Sequence, residues 1–207
     1  MNFDDLAGMK QIDPDDMLGH IDVLADQFEN AWNHAQEQPL PEEYRSPRQI
    51  VLCGMGGSAI GGDLAAALVS STSSVPFIVV RGYDLPAFVA GPDTLVIASS
   101  HSGNTEETLS AAAIAHERGT KLLAMTTGGK MAEFAESNGY PVWKFEYKSQ
   151  PRAALGWSFG LLIALAHRLG LADTLEADVK EGVALLREMA PQYTAANPTE
   201  KNVTKQQ

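Results

Sequence analysis

"TLVIASSHSGNTEETLSAAAIAHERG", residues 94–119, decides the fold. Its opening run, Thr94 to Ala98, is apolar and β-branched without polar alternation, which predicts a strand buried on both faces. From about Glu106 the apolar residues recur at helical spacing, and the pattern stops at Gly119. A strand covered on both sides that passes directly into a helix is the repeating unit of a parallel α/β sheet. The junction between them is dense in hydroxyls: Ser99, Ser100, Ser102 and Thr105 crowd around Gly103 and Asn104. Hydroxyls and free N–H groups at a helix N-terminus can hold an anion. The same residue types also make an elaborate N-cap. On the junction alone both readings stand.

The unit repeats to either side. "QIVLCG" predicts a strand and "SAIGGDLAAALVS" a helix; "PFIVVRG" predicts a second strand. After the quoted stretch come "KLLAMTT", a strand, "KMAEFAESNG", a helix stopped by Gly139, and "YPVWKFE", a last short strand. The predicted class is therefore α/β, a doubly wound, mainly parallel sheet of five strands. Helices flank it. Asp13-Pro14 is a start signal for one helix over about 15–38, broken by Pro39 and Pro41. After Pro151, "RAALGWSFGLLIALAHRLGL" reads as a long apolar helix, followed by another from about Thr174 to Ala190. The tail between Pro191, Pro198 and Gln207 shows no core-building pattern. The expected organisation is a helical segment over 1–45, the α/β domain over 46–171, and a helix and linker over 172–207.

Composition narrows the setting. A chain of 207 residues with 44% hydrophobic content can bury one full core. A net charge of −11 argues against nucleic acid and against an anionic membrane surface as partners. The single cysteine, Cys53, excludes an internal disulfide and reads as a small core residue. No run is long and apolar enough to span a bilayer, and the N-terminus lacks a signal-peptide profile, so a cytoplasmic location is expected.

In sheets of this kind ligands bind at the carboxyl ends of the strands, where the strand order reverses. A second unusual loop falls there: "CGMGGSAIGGD", residues 53–63, in which Gly54, Gly56 and Gly57 strip the turn of side chains and Ser58 opens the next helix. Gly54, Gly56 and Ala59 also satisfy the dinucleotide pattern G-x-G-x-x-A, with Arg81 where an acidic residue belongs, an arginine that could suit a 2′-phosphate. That pattern gives no reason for a hydroxyl-rich turn after a later strand. A single phosphate held from two sides does. Charge-assisted hydrogen bonds contribute roughly 1.5–3 kcal/mol each, and a helix N-terminus about 0.3–1 kcal/mol. Together they can hold a sugar phosphate without a lysine. "GGKM", residues 128–131, lacks the Ser or Thr that a nucleotide P-loop needs after its lysine.

"GMGGSAIGGD" with "SSHSGNTEETL" resembles the sugar isomerase (SIS) domain, a flavodoxin-like fold. "SQPRAALGWSFGLLIAL" narrows the resemblance to the bifunctional phosphoglucose/phosphomannose isomerase family. The resemblance implies that Gly56, Gly57, Ser58, Ser100, Ser102 and Thr105 bind the phosphate and neighbouring hydroxyls of a hexose 6-phosphate. It implies too that Arg152 steadies charge on the reacting carbons, with no metal and no cofactor. From the residues alone, Arg152 could equally snorkel or pair with Glu146.

Aldose–ketose isomerisation also needs a proton-transfer base and a ring-opening acid. The resemblance places both in a second SIS domain, which has no matching positions in this sequence. His101, inside the phosphate loop, is the one histidine expected near a ligand; His20, His34, His116 and His167 lie on predicted helices. Two functions are thus expected to compete: the N-terminal half of an isomerase, inactive alone, and a non-catalytic sugar-phosphate-binding module. The apolar helix from Arg152 to Leu169 is expected to need a partner over it, either a second SIS domain or a second copy in a homodimer.

Overall fold

The computed structural model describes residues 2–172 and 174–207. Five strands, β1 (Gln49–Gly54), β2 (Phe77–Val80), β3 (Thr94–Ser100), β4 (Lys121–Thr126) and β5 (Val142–Lys144), form one sheet in the order β2-β1-β3-β4-β5. Every neighbouring pair is parallel. The helices among the described residues are α1 (Leu6–Ile12), α2 (Met17–Asp22), α3 (Leu24–Glu37), α4 (Gly56–Val69), α5 (Glu106–Glu117), α6 (Gly129–Ser137), α7 (Leu155–Arg168) and α8 (Leu175–Met189).

Residue pattern explains position in the sheet. β3 is buried at all seven positions and takes the centre, whereas β2 is half-buried throughout and takes an edge. Alternate side chains divide between two layers. Ile50, Leu52, Leu95, Ile97, Leu123 and Met125 pack with α3, α4, α7 and α8. Val51, Cys53, Val96, Ala98, Leu122 and Ala124 pack against the alanines of α5 (Ala111, Ala112, Ala115) and Met131 and Ala135 of α6. Helices on both faces make the sheet doubly wound, as the alternation predicts. Cys53 is buried there, which pushes its thiol pKa up to about 12.

Two expectations need correction. The single helix over 15–38 is two: α2 ends and α3 begins at Val23, where the backbone (φ −97°, ψ 19°) leaves the helical region. The apolar stripe is too wide for one helix. Ile21 and Val23 are exposed, while Ala25, Phe28, Ala31 and Trp32 face the core. Asp13 does start α2, its carboxylate accepting from the N–H groups of Met17 (2.9 Å) and Leu18 (3.0 Å). Second, α7 does not await a partner. Gly156, Trp157 and Gly160–Ala166 are buried within the chain, under α3, α4 and α8. The tail's short 3₁₀ turns bury no residue, and polar groups hold it. Asn202 is fully buried, donating to the Thr194 carbonyl (3.0 Å) and accepting from the Thr204 N–H (3.1 Å). Asp4 accepts from the Thr199 N–H and from Lys205 Nζ.

Candidate functional site

The sheet order reverses between β1 and β3: from β1 the chain goes out to β2 on one side, then returns to build β3, β4 and β5 on the other. Gly54 and Ser99 are register partners at the carboxyl end of this pair. Both loops singled out in the sequence leave from that point, and a crevice between them is the ligand position such sheets favour.

α4 starts immediately after Met55, an extended residue whose side chain cannot cap it. Gly56 sits exposed at the mouth, and Ser58 is inside the first turn of the helix and buried, rather than opening it. Opposite, Thr105 holds the N-cap position of α5, yet its hydroxyl makes no capping bond. It lies 2.9 Å from Ser100 Oγ instead. Ser102 Oγ accepts from the Asn104 N–H (3.2 Å) and is exposed at the crevice. The hydroxyls therefore bond to each other and to their own loop. No side chain caps either α4 or α5, and both helix N-termini, with their partial positive charge, follow the carboxyl ends of the paired strands β1 and β3. Such an arrangement can receive an anion.

Arg152 is brought to the same place from far along the chain. It lies in a short 3₁₀ turn, Pro151–Ala153, laid across the start of α4. A Cβ on Gly57 would sit 2.5 Å from the Pro151 carbonyl oxygen and 3.2 Å from the Arg152 nitrogen. Only glycine permits this approach. The Arg152 side chain is exposed, and it makes no ion pair among the described residues; the pairing with Glu146 is not formed. Arg81, the residue that could have suited a 2′-phosphate, is ion-paired with Asp63 of α4.

One loop escaped the sequence reading. The turn after β4, Thr127–Gly129, interlocks with the hydroxyl loop. Thr127 donates to the His101 carbonyl from its N–H (3.0 Å) and its hydroxyl (2.7 Å), and the Lys130 N–H donates to Asn104 Oδ1 (3.2 Å). Gly103, at φ +68°, is pressed so closely on the Gly128 carbonyl that no side chain fits. Its signal in the sequence is the paired Gly128-Gly129 beside a strand end.

His101 is half-buried with its ring edge-on to Phe145. Burial pushes its pKa below the ordinary 6.5, and hydrogen bonds to the backbone of Ser149 and Tyr147 work the other way. Beside it an open hollow of about 520 Å³ is lined by Thr127, Phe145, Tyr147, Lys148 and Ser149. Another hollow, of about 390 Å³, lies at the amino ends of β1 and β3 against Arg48, Gln49 and Asp93, at the opposite pole from these loops. His20, His34, His116 and His167 lie on helices, as expected.

A glycine–serine turn and a hydroxyl loop at the switch point of a parallel five-stranded sheet define a class, the SIS domain, and the SIS family model matches residues 43–138. The chain is a homologue of the bifunctional phosphoglucose/phosphomannose isomerases. It is 43% identical to that of Caldicellulosiruptor bescii over 91% of this chain and 56% of the relative. It is 38% identical to that of Aquifex aeolicus over 75% of this chain and 48% of the relative. It thus spans about half the length of these relatives. Among solved structures, the Vibrio vulnificus NanR protein complexed with ManNAc-6P has the same fold (TM-score 0.54, 18% identity, 82% of this chain and 70% of that one). No helix among the described residues is long and apolar enough to cross a membrane.

Proposed function

We propose that the chain is the phosphate-binding half of a sugar-phosphate isomerase that interconverts glucose 6-phosphate or mannose 6-phosphate with fructose 6-phosphate. The observation that carries this reading is the contact of the Pro151–Arg152 turn with Gly57, which brings the backbone of Arg152 against the uncapped start of α4. Gly56, Gly57, Ser58, Ser100, Ser102 and Thr105 cradle the phosphate. In the isomerisation a base takes the C2 proton of the aldose and delivers it to C1, while the hydroxyl proton passes from O2 to O1. Negative charge builds on the two oxygens between these transfers, and Arg152 offsets it. Both epimers pass through one planar enediolate, so a single site serves glucose and mannose.

The base and the ring-opening acid come from a second SIS domain. An uncharged exposed stripe on α4, Ile60, Leu64 and Leu68, at 43–47% exposure, supports pairing through that helix. The buried single thiol and the absence of a membrane-crossing helix among the described residues support placing this chemistry in the cytoplasm. The test is a coupled assay of fructose 6-phosphate formation. The 207-residue chain alone is expected to be inactive, since each general acid–base group contributes about 10²–10⁴-fold. Fusion to the second half of the Caldicellulosiruptor bescii relative is expected to restore turnover, and Arg152→Ala in that fusion to lower kcat more than it raises KM. Sugar-phosphate binding with no turnover in the fusion would instead favour a non-catalytic binding module.

A further inference from the structure

Gln27 is a polar side chain in an apolar place. It lies on α3, only 2% exposed, where α3 meets α7 so closely that a Cβ on Gly156 would touch Gln27 Cβ at 2.6 Å. Its Nε2 donates to two carbonyl oxygens, His20 (2.8 Å) and Ala153 (3.0 Å). Both neighbours are acceptors, so the amide nitrogen must face them, and Oε1 is left buried without a donor. A buried orphan acceptor is a cost that an apolar residue of the same shape would not carry. What glutamine adds is its N–H groups, and one of them ends on the Arg152 turn.

From this we infer that Gln27 is a positioning residue, holding the Pro151–Ala153 turn from behind while Gly57 receives it in front, so that Arg152 is fixed over the mouth of α4. The inference rests on the role proposed above for Arg152. The turn itself is a single 3₁₀ turn, closed by the Ala153 N–H donating to the Gln150 carbonyl (2.8 Å). It follows an irregular stretch, 145–150, that leaves the edge strand β5. The helices α2 and α3 support that whole path. His34 Nε2 lies 2.9 Å from the Lys144 carbonyl, and His20 Nδ1 lies 2.7 Å from the Tyr147 hydroxyl. Gln27 ties the far end, and through the His20 carbonyl it joins the two supports into one brace. Residues 126 positions apart in sequence thus set where the guanidinium stands.

The test uses Gln27→Met, which keeps length and apolar packing and removes both donors. Fructose 6-phosphate and inorganic phosphate are titrated into the wild-type chain, Gln27→Met, Arg152→Ala and the double variant, and amide hydrogen exchange is followed without ligand. Expected are an affinity for fructose 6-phosphate about tenfold lower in Gln27→Met, an affinity for inorganic phosphate unchanged, and no further loss when Gln27→Met is added to Arg152→Ala. Exchange should accelerate over 150–156 and stay slow in α3. Equal losses for both ligands, additive losses in the double variant, or unchanged exchange over 150–156 would each overturn the inference. If the wild-type chain binds neither ligand, the phosphate cradle is wrong, and the exchange measurement still decides whether Gln27 holds the turn.

Discussion

Replacing Gly57 by alanine tests the contact on which the site depends. The new Cβ would stand 2.5 Å from the Pro151 carbonyl oxygen, 2.9 Å from its carbon and 3.2 Å from the Arg152 nitrogen. All three are backbone atoms, so no rotamer change relieves the clash. An ordinary carbon–oxygen contact is about 3.3 Å or more, so the turn must retreat by roughly 0.8 Å. Overpacking of this kind costs about 1–3 kcal/mol, and alanine returns about 0.5–1 kcal/mol through helix propensity. At mid-range the net loss is then about 1.2 kcal/mol. At about 2–4 °C per kcal/mol for a chain of this size, Tm should fall by roughly 2–5 °C. Gly182→Ala is the control. It lies in α8, where a Cβ would meet nothing within 4 Å, and it should raise Tm slightly. Calorimetry measures both, and titration of fructose 6-phosphate into Gly57→Ala should show weakened binding, since the turn that carries Arg152 is pushed away from the start of α4. A Gly57→Ala chain as stable as wild type, binding as well, would refute the packing of the Arg152 turn against α4.

Two further outcomes are expected. Ser102→Ala with Thr105→Val should remove the stabilisation of the chain by inorganic phosphate in a thermal-shift titration. Ser102→Ala alone should leave the unliganded Tm nearly unchanged, since exposed polar changes are usually worth under about 0.5 kcal/mol, whereas Thr105→Val unpairs the buried Ser100 hydroxyl and should itself cost about 1–3 kcal/mol. A phosphate response that survives both changes would place the anion elsewhere. Asp13→Ala should destabilise at neutral pH. The N–H groups of Leu18 and Met17 hold the Asp13 carboxylate below its ordinary 3.8, so its contribution is present above that value and lost as pH falls through the lowered one. The Tm difference between wild type and Asp13→Ala should therefore shrink below pH 3.8; a difference that persists there would mean that packing, not the ionised carboxylate, supports α2.

The sheet was legible because β1, β3 and β4 are unbroken apolar runs whose burial needs no knowledge of their neighbours. Ser100, Ser102 and Thr105 were legible as a group because one loop holds them, and the Gly56–Ser58 turn for the same reason. What stayed hidden depends on contact between distant segments. Nothing around Gln27 marks it, since a glutamine on an amphipathic helix ordinarily faces water; only the approach of residue 153 gives its amide a purpose. The cover over α7 was misjudged likewise, because its apolarity is answered by α3 and α8 from opposite ends of the chain. The break at Val23 was concealed by an apolar stripe that served two helices and read as one broad face.

Backbone amide shifts measured while fructose 6-phosphate is titrated into the labelled 207-residue chain locate the sugar phosphate. The shifts should be largest at Gly56, Gly57 and Ser58, at Ser102 through Glu107, and at Arg152, and they should saturate together with one dissociation constant. Shifts centred instead on Arg48, Gln49 and Asp93, the hollow at the other end of the strands, or none up to millimolar ligand, would contradict that placement.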